Sequence, residues 1–142
     1  MKKIVLMPSL ILFALTTTFA QSVTGKWRTI DDQTGEAKSV VEIYEEKGKI
    51  YGKVIEIMDE TKRDALCVNC TGSDKNTPVM GLVIIRGLEK DGDEYNGGKI
   101  LDPNNGKLYK CYIQLGENDI LKVRGYIGFS LLGRTQYWNR VE

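Results

Sequence analysis

From residue 23 onward the chain alternates apolar and polar positions in short runs, and turn chemistry separates the runs. A period of two marks strands with one covered face. The runs read VTGKWRT (23–29), KSVVEIYEE (38–46), IYGKVIEI (50–57), MGLVIIRGL (80–88), YNGGKIL (95–101), KLYKCYIQL (107–115), ILKVRGYI (120–127) and RTQYWNRV (134–141). Polar or glycine-bearing segments such as IDDQTGEA, EKGK, EKDGDE, DPNNG and GEND lie between them. The second and third runs form a hairpin. No segment shows the 3.6-residue period of an amphipathic helix. The pattern predicts an all-β fold of about eight antiparallel strands in an up-and-down meander. A meander that long removes its exposed edges by closing into a barrel.

One stretch breaks the rhythm. Residues 58–79, MDETKRDALCVNCTGSDKNTPV, lack alternation and read as a long loop with one helical turn near 61–66. A loop of that length in a small domain is functional or pinned. Gly52, Gly87, Gly97, Gly98 and Gly125 fall inside strands, where barrels need bends and close backbone approaches. In the eighth run Arg134, Gln136, Trp138 and Arg140 share one face. If Trp138 points inward, the two arginines come with it and charge one end of the interior.

The first twenty residues are a separate object. Lys2 and Lys3 precede an apolar stretch, and Thr18-Phe19-Ala20 matches a small-x-small cleavage site. The apolar run is shorter than the roughly 20 residues that span a bilayer. The reading is a secretory leader over 1–20 and a single domain over 21–142, exported to a periplasmic or extracellular space, with no membrane span after cleavage. The whole chain carries 20 basic and 19 acidic residues, and losing Lys2 and Lys3 leaves 18 against 19, a net charge of −1. That balance predicts no nucleic-acid partner and no anionic-membrane footprint. The chain has no histidine, which removes the commonest general acid–base and the commonest transition-metal ligand.

The runs NTPVMGLVIIRGLEKDGDEYNGGKILDPNNGKLYKC and LKVRGYIGFSLLGRTQYWNR, together with GKW near the start, resemble the DUF2147 family of small exported bacterial proteins. The segments GGKILDP (97–103) and LLGRTQ (131–136) carry the likeness most specifically. The resemblance covers essentially all of residues 21–142 and implies a lipocalin-like (calycin-like) barrel with no established activity. In lipocalin-like proteins a Gly-x-Trp motif closes one end of the barrel, and a late basic residue packs across the indole. Gly25 and Trp27 fit that motif here, with Arg134 or Arg140 as the cation; the expectation settles on Arg134. The chain is shorter than most lipocalins and lacks their helix after the barrel, which argues against a deep cavity.

Cys67-Val68-Asn69-Cys70 and Cys111 are the three cysteines. In an oxidising compartment the first reading is a structural disulfide, either Cys67–Cys70 or one of them with Cys111. A redox motif needs a helix start after a strand, and a zinc site needs a fourth ligand. Asp31, Asp32 and Glu36, and the acids of 89–94, read as solvated turns rather than calcium loops. Ser39, Ser73 and Ser130 have no base to activate them. No metal, no cofactor and no catalytic residue is expected.

Lys99, Tyr109, Arg124, Tyr126, Arg134 and Gln136, with Arg140, form a candidate polar constellation for a carboxylate or phosphate head. The bland alternative is surface charge plus one barrel-closing arginine. The sequence therefore predicts a monomeric, non-catalytic binding module for a small amphipathic or hydrophobic molecule. A filled-core protein that touches an envelope partner, or shields against stress, is the alternative, and an enzyme of unknown class the third. The apolar turn Phe129-Ser130-Leu131-Leu132 is expected to fold inward as a cap on the core.

Overall fold

A computed structural model describes residues 2–9, 11, 12, 14, 22–129 and 131–142; Thr18 to Ala20 of the leader reading and Ser130 lie outside them. Eight strands, β1 (Gly25–Ile30), β2 (Ala37–Glu46), β3 (Lys49–Ile57), β4 (Val83–Asp91), β5 (Glu94–Asp102), β6 (Lys107–Leu115), β7 (Ile120–Tyr126) and β8 (Gly133–Val141), pair in sequence order. Every pair is antiparallel, and β8 returns to β1 through Lys26 opposite Val141, Trp27 opposite Arg140 and Arg28 opposite Asn139. The fold is an all-β closed barrel.

The fourth strand starts three residues later than its pattern suggests. Gly81 takes a positive φ of 86°, so 80–82 bend before the ladder begins, although Gly81 and Leu82 still exchange hydrogen bonds with Val54. The register then runs to Asp91 opposite Glu94, leaving Gly92-Asp93 as a two-residue turn. Gly98 is required by space: a Cβ there would run into the Arg86 carbonyl and the Gly87 backbone. It marks where β5 presses on β4.

Alternation sends one face of each strand inward. Trp27, Val41, Ile43, Ile85, Leu88, Ile113, Leu121 and Trp138 are all at most 2% exposed. Side chains with essentially no surface for water leave no void beside them, so this part of the interior is packed, not hollow. At about 25 cal/mol per Å² of apolar surface, each such side chain contributes roughly 1.5–3 kcal/mol.

Residues 58–82 form the long loop. Asp59 caps a 3-10 turn at Glu60–Lys62, and Leu66 bridges Pro78. Cys67 and Cys70 are joined in a disulfide, both buried, while Cys111 is a free buried thiol. The pinned loop lies on the β5–β6 turn. Asn69 donates from Nδ2 to the Asn104 carbonyl (2.9 Å), and Gly106, with φ 73°, passes so close to the Asn69 backbone that no Cβ fits.

Candidate functional site

The two barrel ends differ, and the inner face of β8 reaches both. Gly25, Trp27 and Arg140 meet at the end where β1 begins and β8 finishes. The Arg140 guanidinium lies 4.3 Å from the Trp27 ring centroid. It also donates to Asp119 Oδ1 (3.2 Å), the Thr24 carbonyl (3.0 Å) and the Ser22 carbonyl (2.6 Å). The Trp27 indole donates to the Val23 carbonyl at 2.8 Å. A Cβ on Gly25 would sit 2.9 Å from Arg140 Nη1, and its φ is 127°, so only glycine admits the cation. A partly desolvated cation–π contact of this kind is worth about 0.5–2 kcal/mol.

Arg134 is not part of that closure. Six residues earlier on the same face, it lies opposite Gly125 at the other end of the barrel. There its Nε donates to Asp32 Oδ2 at 3.0 Å, and a second donor, Nη2, reaches Asp32 Oδ1. The two arginines thus sit at opposite ends, not together. The Asp32 carboxyl is held below its usual range, chiefly by the hydrogen bond from Arg134. Asp32 in turn raises the Arg134 pKa, with Asp31 and Asp102 adding to the pull.

The same mouth collects further polar groups. The Trp138 indole donates to Gln136 Oε1 at 2.9 Å. Thr29 and Ser39 exchange a hydroxyl bond of 2.8 Å just inside. Tyr109 shares the inward face of β6 with Cys111 and bonds Asn105 Nδ2 at 2.8 Å. Two separate hydrogen-bonded pairs, Trp138–Gln136 and Arg134–Asp32, therefore follow the inward face of β8 from the core to the mouth.

Half of the expected constellation is elsewhere. Lys99 pairs with Arg86 and Lys110 on the outer wall. Arg124 lies opposite Tyr112 and Thr135, bonding Thr135 Oγ1 at 2.8 Å. Tyr126 packs against Tyr112, ring centroids 6.3 Å apart. The strand period sends all three outward, while Tyr109, Arg134 and Gln136 keep the inward phase of their strands. Three carboxylates, Asp31, Asp32 and Asp102, bear on the one guanidinium, which is already paired. Asp32 carried no signal in the sequence beyond an acidic turn; closure of the barrel brings it to β8.

The apolar turn is not a cap. Phe129 is 81% exposed, Leu131 89% and Leu132 67%. The Ile127 amide bonds the Leu132 carbonyl and the Leu132 amide the Phe129 carbonyl, so the backbone closes on itself and the side chains point away.

The thiols offer little chemistry. Burial pushes the Cys111 pKa up to about 12, and Cys67–Cys70 is enclosed. Among the described residues, no three of His, Cys, Asp and Glu gather at metal-binding distance. Ser39 is engaged by Thr29, and Ser73 lies on an exposed 3-10 turn at Gly72–Asp74. Two recesses open on the surface. One of about 430 Å³ lies between the long loop and the foot of β4, beside the Arg86–Asp74 ion pair (3.0 Å). The other, about 350 Å³, lies by Val23, Tyr95 and Leu115. Neither reaches Arg134, Gln136 or Tyr109.

The profile of a family described as "uncharacterized protein conserved in bacteria (DUF2147)" matches residues 25–140, nearly the whole barrel. The chain belongs to the DUF2147 family. No curated protein matches this DUF2147 chain. A solved structure, protein HP1028 from Helicobacter pylori, described as belonging to the lipocalin family, is similar with a TM-score of 0.76 and 24% identity, over 87% of this chain and 85% of that one. At that identity the likeness is one of fold, and the lipocalin-like barrel of this DUF2147 member is the shared feature.

Proposed function

We propose that this protein is a non-catalytic binding module that takes a small amphipathic molecule at the mouth of the barrel. The observation that carries it is the juxtaposition at one end only: the polar side chains of Gln136, Arg134 and its partner Asp32 open beside the uncovered Phe129, Leu131 and Leu132. A polar head meets the first and an apolar portion lies on the second. Lipocalin-like folds place ligands at this kind of mouth. Because the interior around Trp27 and Trp138 is packed, the ligand sits high, not deep. Because carboxylates outnumber the guanidinium there, the head is uncharged or cationic. The leader-like residues 1–20 and the Cys67–Cys70 disulfide support export of residues 21–142 as one monomeric domain.

Native mass spectrometry of protein taken from its own cells, followed by titration with fluorescent acyl probes bearing uncharged, cationic and anionic heads, tests the reading. Saturable binding of the uncharged or cationic probe, weakened at least about tenfold by Gln136→Leu, is expected; a tenfold change is about 1.4 kcal/mol, the size of one lost hydrogen bond. No co-purifying mass and no saturable binding by any probe overturns it. The packed core with an exposed apolar loop favours a second reading, a contact site for an envelope protein, and crosslinking from a photoreactive residue at 131 distinguishes the two.

A further inference from the structure

The outer wall made by β6, β7, β8 and β1 carries cations and tyrosines and no carboxylate at all. None of these four strands contains an aspartate or glutamate, and only the return of β8 to β1 makes them one continuous surface. Register sets the outward groups in rows. Lys110 lies between Lys99 on β5 and Tyr126 on β7. Arg124 lies between Tyr112 and Thr135, and Lys122 between Gln114 and Tyr137. Arg28 and Lys26 continue the strip across the seam. Lys26, Arg28, Lys99, Lys110 and Tyr137 are exposed. Rows repeat about 5 Å across the strands and about 7 Å along them.

The opposite wall treats its cations differently. Lys53 pairs with Glu42 (3.8 Å) and Lys49 with Glu89 (3.5 Å). On the β6–β1 wall and at its edge on β5, among the described residues, no carboxylate forms an ion pair with Arg28, Lys99, Lys110 or Lys122, and only Lys26 faces one, Glu42 across β1–β2; Lys122 lies 5.5 Å over the Tyr112 ring. Lys99 sits directly opposite Lys110, an arrangement that destabilises a sheet. Like charges held face to face serve no folding purpose. Their field rises over the wall even though the chain as a whole is near neutral.

The geometry points to this wall as a docking surface for an acidic polysaccharide. The cations meet its carboxylate, sulfate or phosphate groups, and Tyr112, Tyr126 and Tyr137 present ring faces and hydroxyls between them. The disulfide fits an exported chain, and an exported chain meets acidic polysaccharide rather than intracellular nucleic acid. The wall is convex, which suits a flexible chain lying across it and not a flat bilayer. The surface lies on the outside of the barrel, whereas Gln136 and Arg134 have the inward strand phase, so the two sites are separate faces of the same strands.

Heparin is the probe. The disulfide-bonded protein is expected to bind it saturably, with log K falling linearly in log salt. Lys99→Gln with Lys110→Gln is expected to reduce that slope by about two, one for each cation removed, while raising the melting midpoint because the facing like charges are gone. Lys49→Gln with Lys53→Gln, on the opposite wall, is expected to leave the slope unchanged. Absence of heparin binding at low ionic strength overturns the proposal, as does an equal loss in both double variants. Tighter binding to single-stranded DNA or to phosphatidylglycerol vesicles than to heparin overturns it as well. Gln136→Leu at the mouth leaves heparin binding intact, so the two readings fail separately.

Discussion

The two ends of this barrel use the same parts, an arginine from the inner face of β8 and an aspartate from a connecting loop, to opposite effect. At the Trp27 end Arg140 is stacked on a buried indole and ties Ser22, Thr24 and Asp119 together. At the mouth Arg134 is more than half exposed, its side chain 56% open to solvent, and holds only the turn at Asp32. The turns at the first end are polar, including Gly48, Gly92 and Glu117; the mouth carries bare Phe129, Leu131 and Leu132. One end is built for stability, and the other leaves apolar surface uncovered.

The contrast breaks first at Trp27. Trp27→Ala is expected to cost about 3–5 kcal/mol, read as a lower urea midpoint or loss of the cooperative transition. Indifference to it would mean that the Trp27 end does not anchor the fold. Next is the loop beside the mouth. Replacing both Cys67 and Cys70 by serine removes a crosslink that closes four residues, which chain entropy values at about 2 kcal/mol. Chemical denaturation against the wild type measures it. A much smaller loss would assign the loop's hold to Asn69 and the β5–β6 turn.

A smaller effect is expected at the Asp32–Arg134 pair. The Asp32 pKa is depressed in the folded state, so the pair's contribution is complete above the ordinary carboxylate value and is lost as pH falls through the lowered one. Solvent around Arg134 limits it to less than about 1 kcal/mol. Asp32→Asn is expected to flatten this part of the acid limb below about pH 5 in thermal unfolding. An identical acid limb in the variant would show that the pair contributes nothing. Smallest is Leu131→Asp, expected to change stability by no more than about 0.5 kcal/mol while abolishing whatever contact the loop makes. A loss of several kcal/mol would restore the turn to the core.

Strand number, order and most register limits were legible because alternation and turn chemistry are local properties of the chain. The Cys67–Cys70 pairing was one of three that the three cysteines allowed, and Gly25-x-Trp27 was readable as a closure motif. The foot of β4 was not, because the bend at Gly81 depends on its hydrogen bonds to Val54. Nor was the fate of the apolar turn, since side-chain direction in a tight loop follows from backbone bonds across it. Lys99, Arg124 and Tyr126 misled for a related reason. Their chemistry resembles that of Arg134 and Gln136, yet they have the opposite strand phase.

Sequence alone determined an all-β chain with a leader-like start, no histidine, and an indole waiting for a cation. Which arginine supplies that cation, and which aspartate neutralises the other, depended on the stagger between β8 and its neighbours across a closed seam. The charge balance shows the same division. A count along the chain gives near neutrality, because summation ignores position. Closure brings acid-free β1 beside acid-free β6 to β8 and turns a neutral composition into one basic wall.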